Sequence, residues 1–331
     1  MTSLDVSPDS ARRPFTGRRV RIGDLVLQGV AGLAALAVLV LVVSVAWKVV
    51  DGSRLSISTF GLGFVGHVAW NPVPGREVYG AASFLFGTAV TSLSALLLAA
   101  PLALGIALFL TELAPSGLRG AVTALVETLA AIPSVVIGLW GILVLGPILS
   151  RDVEPWLHSA FGFIPIFGAP SAAGSSIFTA IVVLTIMILP IVSSISRELF
   201  LGVPPELKEG ALALGTTRWE MVRGVMFPYA RGGIAAALIL GLGRAVGEAI
   251  AVTQVIGGGV FIHWNLFDGG DTLASKIAAE YQGATSNLQI SSLVYLALIL
   301  LVFSLLVNLF AQWIVRRVAR KQGTGAARGA V

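Results

Sequence analysis

Arg244 and Glu248 are the only charges in an otherwise apolar stretch, GRAVGEAIAV (Gly243 to Val252), and they stand four residues apart. On a helix that spacing puts two side chains on one face, so the sequence predicts that they pair. With the helix starting near Gly233, Arg244 lies eleven residues in. That is about 17 Å at ~1.5 Å per residue, near the middle of a ~30 Å hydrocarbon layer. An isolated Arg at that depth costs at least about 2.5–3.5 kcal/mol, so it must face protein or water. Two readings stay open. One is a structural ion pair that merely neutralises two charges. The other is an anion station, in which the guanidinium grips oxyanion oxygens bidentately while the carboxylate holds the Arg in reserve or accepts a hydrogen bond from a protonated anion. Ser134, behind Pro133 in a second apolar stretch, offers a hydroxyl where a proline kink exposes backbone. Glu127, nearer the end of that stretch, is a lesser candidate that bonds locally.

A different chemistry, docking, is written in Glu209 to Pro228, EGALALGTTRWEMVRGVMFP. Pro204 and Pro205 suit a helix start, and Glu206 and Glu209 suit the positive end of its dipole. Ala211 and Ala213 keep one face small, Leu212 and Leu214 are apolar, and Gly215 can take the left-handed conformation that stops a short helix. Thr216 or Thr217 can cap a second helix. The pattern is helix, glycine turn, helix: a knob of fixed shape for a groove in a partner.

Around these residues the chain has 331 residues, 56% of them hydrophobic and only 12% charged, with no cysteine. Too few charges remain for an ordinary soluble globule, and disulfides, thiolate catalysis and Cys-based metal sites are excluded. His67, His158 and His263 are scattered, no nucleophile stands with a base, and there is no G-x-x-x-x-G-K-[ST]. Neither a metal, a cofactor nor an ATP-hydrolysing site is expected. The net charge of +5 sits beside apolar spans, where anionic lipid is a simpler partner than nucleic acid.

The fold class is all-α, a polytopic membrane protein with six transmembrane helices near 25–50, 83–110, 121–149, 175–195, 233–262 and 290–314. Residues 1–22 read as a disordered cytoplasmic tail, 23–50 as the first span and 51–82 as an external loop. The five-span core is then 83–315, its cytoplasmic loop 196–232, and 316–331 is a basic cytoplasmic tail. Arg12-Arg13-Pro14-Phe15 loosely resembles an export signal, but the following apolar run is long enough to be retained as a span. With the N-terminus inside, sixteen Lys and Arg fall in inside segments and five (Lys48, Arg54, Arg76, Arg151, Lys276) outside. That asymmetry places the Glu209–Pro228 loop and both termini in the cytoplasm. No internal repeat and no matching pair of broken helices is apparent. Trp70, Tyr79, Trp156, Trp264 and Tyr281 suit interfacial anchoring, although the outer loops 51–82 and 263–288 are also long enough to meet an external partner.

The spacing Glu209-Gly210-Ala211, three residues, Gly215, nine residues, Val225, one residue, Phe227-Pro228 resembles the EAA loop of ABC importer permeases. Gly210, Val225 and Phe227 stand where Ala, Ile and Leu are most typical. ETLAAIPSVVIGLWG (127–141), GRAVGEAIAV (243–252) and FDGGDTLASKIAAEY (267–281), in that order, are similar to the phosphate-specific, PstC-type permeases of that family. The resemblance covers roughly residues 80 to 315. It implies a type I ABC importer permease (MetI-like) architecture in the bacterial plasma membrane, with ATP hydrolysed elsewhere. The partners implied are a PstA-type permease, a cytoplasmic PstB-type ATPase dimer docked on Glu209, Gly210, Ala211, Gly215 and Pro228, and an external PstS-type phosphate-binding protein. Arg244 and Glu248 match the family's intramembrane charged pair, implicated in phosphate passage. The alternatives are an ABC permease for sulfate or molybdate, told apart by anion competition, and a proton-coupled carrier using Glu248, which would work without an ATPase.

Overall fold

The computed structural model describes residues 22–171 and 173–326. Apart from Ile22, the expected N-terminal tail lies outside the described residues. Helix α1 (Ile22–Gly52) is apolar almost throughout, and the chain up to Lys48 forms a unit separate from residues 49–331. The expected loop 51–82 is partly helical, with α2 (Arg54–Phe60) and α3 (Gly63–Gly66), because Phe60, Phe64 and Tyr79 have a core to fill. Among the described residues β pairing is limited to two isolated bridges, Asn71 with Val78 and Gly257 with Gly270.

Helix α4 (Ala82–Leu108) is the second span and ends in a π-helical turn, Phe109–Leu113. The third span is interrupted. It consists of α5 (Ser116–Ala131), a break at Ile132 and Pro133, and α6 (Ser134–Trp140). Beyond α6, two π-helical turns (Gly141–Leu145 and Leu149–Val153) alternate with the short α7 (Gly146–Ile148) and α8 (Glu154–Phe161). Its membrane-length part is Ser134–Phe161 rather than 121–149, because Pro133 lacks the N–H that would carry the helix through.

Helix α9 (Ile177–Leu201) is the hub, with 67% of its most apolar window buried against 22–33% for the second, third, fifth and sixth spans. Against it α4 lays Ala95, Ala99, Ala103 and Ala107, one residue per turn and all fully buried. Without a hydrophobic drive between helices in lipid, such small residues let backbones approach and dispersion act. The approach is close enough for the Thr185 hydroxyl to donate to the Ala95 carbonyl at 3.4 Å. Gly241 does the same for the fifth span, since a Cβ there would come within 2.8 Å of Ile188.

After α9 come α10 (Pro205–Ala213) and α11 (Arg218–Met221), then a π-helical turn (Val222–Met226) running directly into α12 (Phe227–Gly247). The fifth span is therefore 218–247, not 233–262. Met221, Val222, Met226, Ala230 and Ile234 form one buried face that holds the amphipathic early part helical despite its Arg and Glu residues. At the far end the helix stops at Glu248 (φ −71, ψ 117) and resumes as the short α13 (Ile250–Val255). Helix α14 (Leu273–Glu280) follows, then α15 (Asn287–Ala326). The expected tail from 316 is thus helical to Ala326; residues 327–331 lie outside the described residues.

The third and fifth spans both break, and their second halves pack on each other. Gly138 of α6 meets α13 so closely that a Cβ would lie 2.8 Å from the Ala251 Cα.

Candidate functional site

The break at Glu248 changes the expected ion pair. Arg244 stays in the last turn of α12, but Glu248 has left the helix, so the four-residue geometry no longer joins them. Among the described residues no salt bridge forms between the two. Glu248 instead accepts a hydrogen bond from the Ala251 N–H at 3.3 Å, satisfying an orphan donor in the first turn of α13. Its carboxylate thereby fixes where the second half-helix begins.

Both residues nevertheless line one cleft. It has a volume of about 1060 Å³ and lies between α12, α15 and Ile191 of α9. Arg244 is exposed and Glu248 half-buried, so the cation is available to a ligand or to water in this cleft. Ser134 sits half-buried in the first turn of α6 and is absent from the cleft lining. Glu127 is exposed on α5. Two residues that sequence reasoning passed over join Arg244: Asn308 and Gln312, one turn apart on α15. The signal was there, since polar side chains in a membrane helix ask for an explanation.

The 209–228 loop has the expected helix, turn, helix form. Helix α10 begins at Pro205, and Gly215 turns the chain at φ +84, a conformation that only glycine adopts without strain. Thr216 closes the turn by donating to the Ala211 carbonyl at 2.9 Å. Thr217 caps α11, its hydroxyl accepting from the Glu220 N–H while the Glu220 carboxylate accepts from the Thr217 N–H at 2.8 Å. Glu209 and Gly210 are exposed and Ala211 half-buried, while Pro228 follows the π-helical turn Val222–Met226 inside the continuous 218–247 helix, the irregular turn accommodating its missing N–H. Leu214 (87% exposed) and Trp219 (64%) find no apolar cover among the described residues. Beneath them the knob is anchored twice: Lys208 meets Glu112, at the end of the second span, at 2.7 Å, and Phe200 meets Phe227 edge-on at 5.7 Å.

At the opposite end, Lys276 was foreseen only as a loop charge. It is 8% exposed and sits between Glu280 (2.6 Å) and Asp271 (3.7 Å), over the rings of Trp70 and Phe84. Trp70 Nε1 donates to Glu280 at 2.8 Å, so this knot joins α14 to the 67–81 segment. Burial pushes the Asp271 carboxyl above its ordinary value, and the Lys276 charge opposes it. Burial, with the charge of Glu77 next, pushes the Tyr79 phenol up to about 12 and keeps it a neutral donor.

Residues 100–320 match the family described as binding-protein-dependent transport system inner membrane component. A phosphate transport system permease protein PstC from Mesorhizobium japonicum is 42% identical over 315 residues, covering 94% of this chain and 95% of that protein. Among solved structures, a bacterial alginate ABC transporter, crystallised with an alginate-bound periplasmic protein, contains a chain similar in fold. The TM-score is 0.60 at 18% identity, over 89% of this chain and 97% of the other. The inward-facing methionine transporter MetNI gives a TM-score of 0.51 at 20% identity, over 71% and 94%. At these identities the structures bear on the fold alone.

Proposed function

The chain belongs to the binding-protein-dependent transport system inner membrane component family, and on that premise we propose that it is the permease subunit of an ATP-driven importer of inorganic phosphate. The observation that carries the substrate is the 42% identity, over 94% of this chain, with a phosphate transport system permease protein. Arg244, exposed in a cleft between spans, supplies the chemistry: a guanidinium binds phosphate oxygens bidentately, and without a carboxylate clamped to it the group is ready to do so. Glu248 shapes the same cleft by holding the start of α13. Ser134 stays outside the lining of this cleft, so it is given no part in the Arg244 station. The chain itself performs no bond chemistry.

In this reading a PstA-type permease closes the cleft, a PstS-type binding protein delivers phosphate at the Lys276 end, and a PstB-type ATPase dimer grips the 209–228 knob. The excess of Lys and Arg at the knob end supports its cytoplasmic placement in a bacterial plasma membrane. Coupling follows from continuity. The helix that starts at Arg218 in the knob runs through Gly247, so a push on the knob is carried along one rod to Arg244. The ion pair Lys208–Glu112 passes the same push to α4.

The test is ATP-dependent phosphate uptake into vesicles holding the whole complex. Arg244→Gln is expected to lower uptake about 10- to 100-fold with assembly intact, the range for one lost hydrogen-bonded charge. Gly215→Pro is expected to release the ATPase. Parental uptake by Arg244→Gln, or uptake without any ATPase, would refute the proposal.

A further inference from the structure

Asn308 and Gln312 stand on one face of α15, four residues apart or about 6 Å along the axis, and both open into the cleft that holds Arg244. Among the described residues neither amide makes a side-chain hydrogen bond within the chain, and Gln312 is exposed. On α12 the lining rises from Ala236 through Arg244 to Glu248. Helix α15, the next span, returns toward the knob, so Gln312 lies nearest the knob end of the cleft. An amide left facing hydrocarbon is unfavourable, and two on one face call for protein, water or a polar ligand.

We infer that Asn308 and Gln312 form a second, uncharged station for phosphate, to which Arg244 passes the anion on its way to the knob end. The inference rests on the phosphate-importer reading and extends it to new residues. A path needs sites that bind and release, and a second fixed cation would hold a dianion too long. A carboxamide offers two N–H donors and a carbonyl acceptor without net charge. Phosphate near neutral pH keeps at least one P–OH, which can donate to such a carbonyl while its anionic oxygens accept from the N–H groups. Sulfate at that pH has no O–H, so it leaves the carbonyl unpaired and fits the station worse.

The chain has no cysteine, so Asn308→Cys and Gln312→Cys each report on one position when the assembled complex is treated with a small anionic thiosulfonate reagent. Leu309→Cys, on an exposed apolar position outside the cleft lining, is the control. Both cleft positions are expected to be labelled, at least about threefold more slowly with phosphate present and less protected by equal sulfate. The double variant Asn308→Leu, Gln312→Leu is expected to lower uptake about tenfold or more, since each lost bond to a charged ligand is of that order. Failure of the reagent to reach either position, labelling indifferent to phosphate, or protection by sulfate as strong as by phosphate would overturn the inference. Arg244→Gln is assayed alongside. Its failure to lower uptake would remove the phosphate path itself, whereas its loss of uptake beside parental uptake in the amide variant would remove only the second station.

Discussion

Replacing Lys276 by methionine keeps the length of the side chain and removes its charge from between two carboxylates. In the parent the ammonium lies 2.6 Å from Glu280 and 3.7 Å from Asp271, with side-chain exposures of 10% for Lys276, 26% for Glu280 and 10% for Asp271. Screening by water is weak at such burial, and the Glu280 charge raises the tendency of Asp271 to hold a proton. Breaking a buried pair by removing one partner costs about 3–5 kcal/mol, because a charge is left uncompensated. At about 1.4 °C per kcal/mol for a chain of 331 residues, the apparent melting temperature should fall roughly 4–7 °C near pH 8. Acid should then narrow the gap. A carboxyl whose folded pKa is raised favours the fold below its unfolded pKa and loses that contribution as pH rises through the folded value. Asp271 is already raised by burial, and losing Lys276 raises it further, so the variant takes up its proton first as pH falls. The assay is thermal unfolding of the detergent-solubilised protein from about pH 8 to pH 5, with Lys276→Arg as the charge-keeping control. A deficit near zero at pH 8, or one that widens on acidification, would refute the reasoning.

Two further outcomes follow from the packing. Gly138→Ala should lower stability by about 1–3 kcal/mol, because the new methyl would press on the Ala251 backbone at 2.8 Å, whereas Gly105→Ala, with open space around it, should be neutral or slightly stabilising; paired melting curves check both. Glu112→Gln should weaken the hold of α4 on the knob by about 1–3 kcal/mol, seen as reduced coupling of ATP hydrolysis to uptake. A double-mutant cycle with Lys208→Gln should show the two effects to be non-additive.

The knob of the 209–228 loop is legible residue by residue because its rules are local. A proline start, a glycine at positive φ and a threonine cap act over three or four neighbours, and each appears where its type and spacing place it. The class is equally legible, since 56% hydrophobic residues in six long runs have no soluble solution. The Arg244–Glu248 pair shows where that reasoning ends. Spacing of four implies a pair only if one helix carries both, and whether α12 continues past Gly247 depends on what α13 can pack against, namely Gly138 and Gly141 of a span a hundred residues earlier.

Burial is the other quantity that chain order does not carry. Lys276 reads as a loop charge until Trp70, Phe84, Asp271 and Glu280 close around it, and Asn308 and Gln312 read as stray polar residues until α12 brings Arg244 to the same cleft. Membrane class, number of spans and the shape of the knob follow from composition and from contacts within one helical turn. Which helices break, which charges lose water and which polar groups share a space depend on contacts between spans far apart in the chain, and so emerge only with the packing.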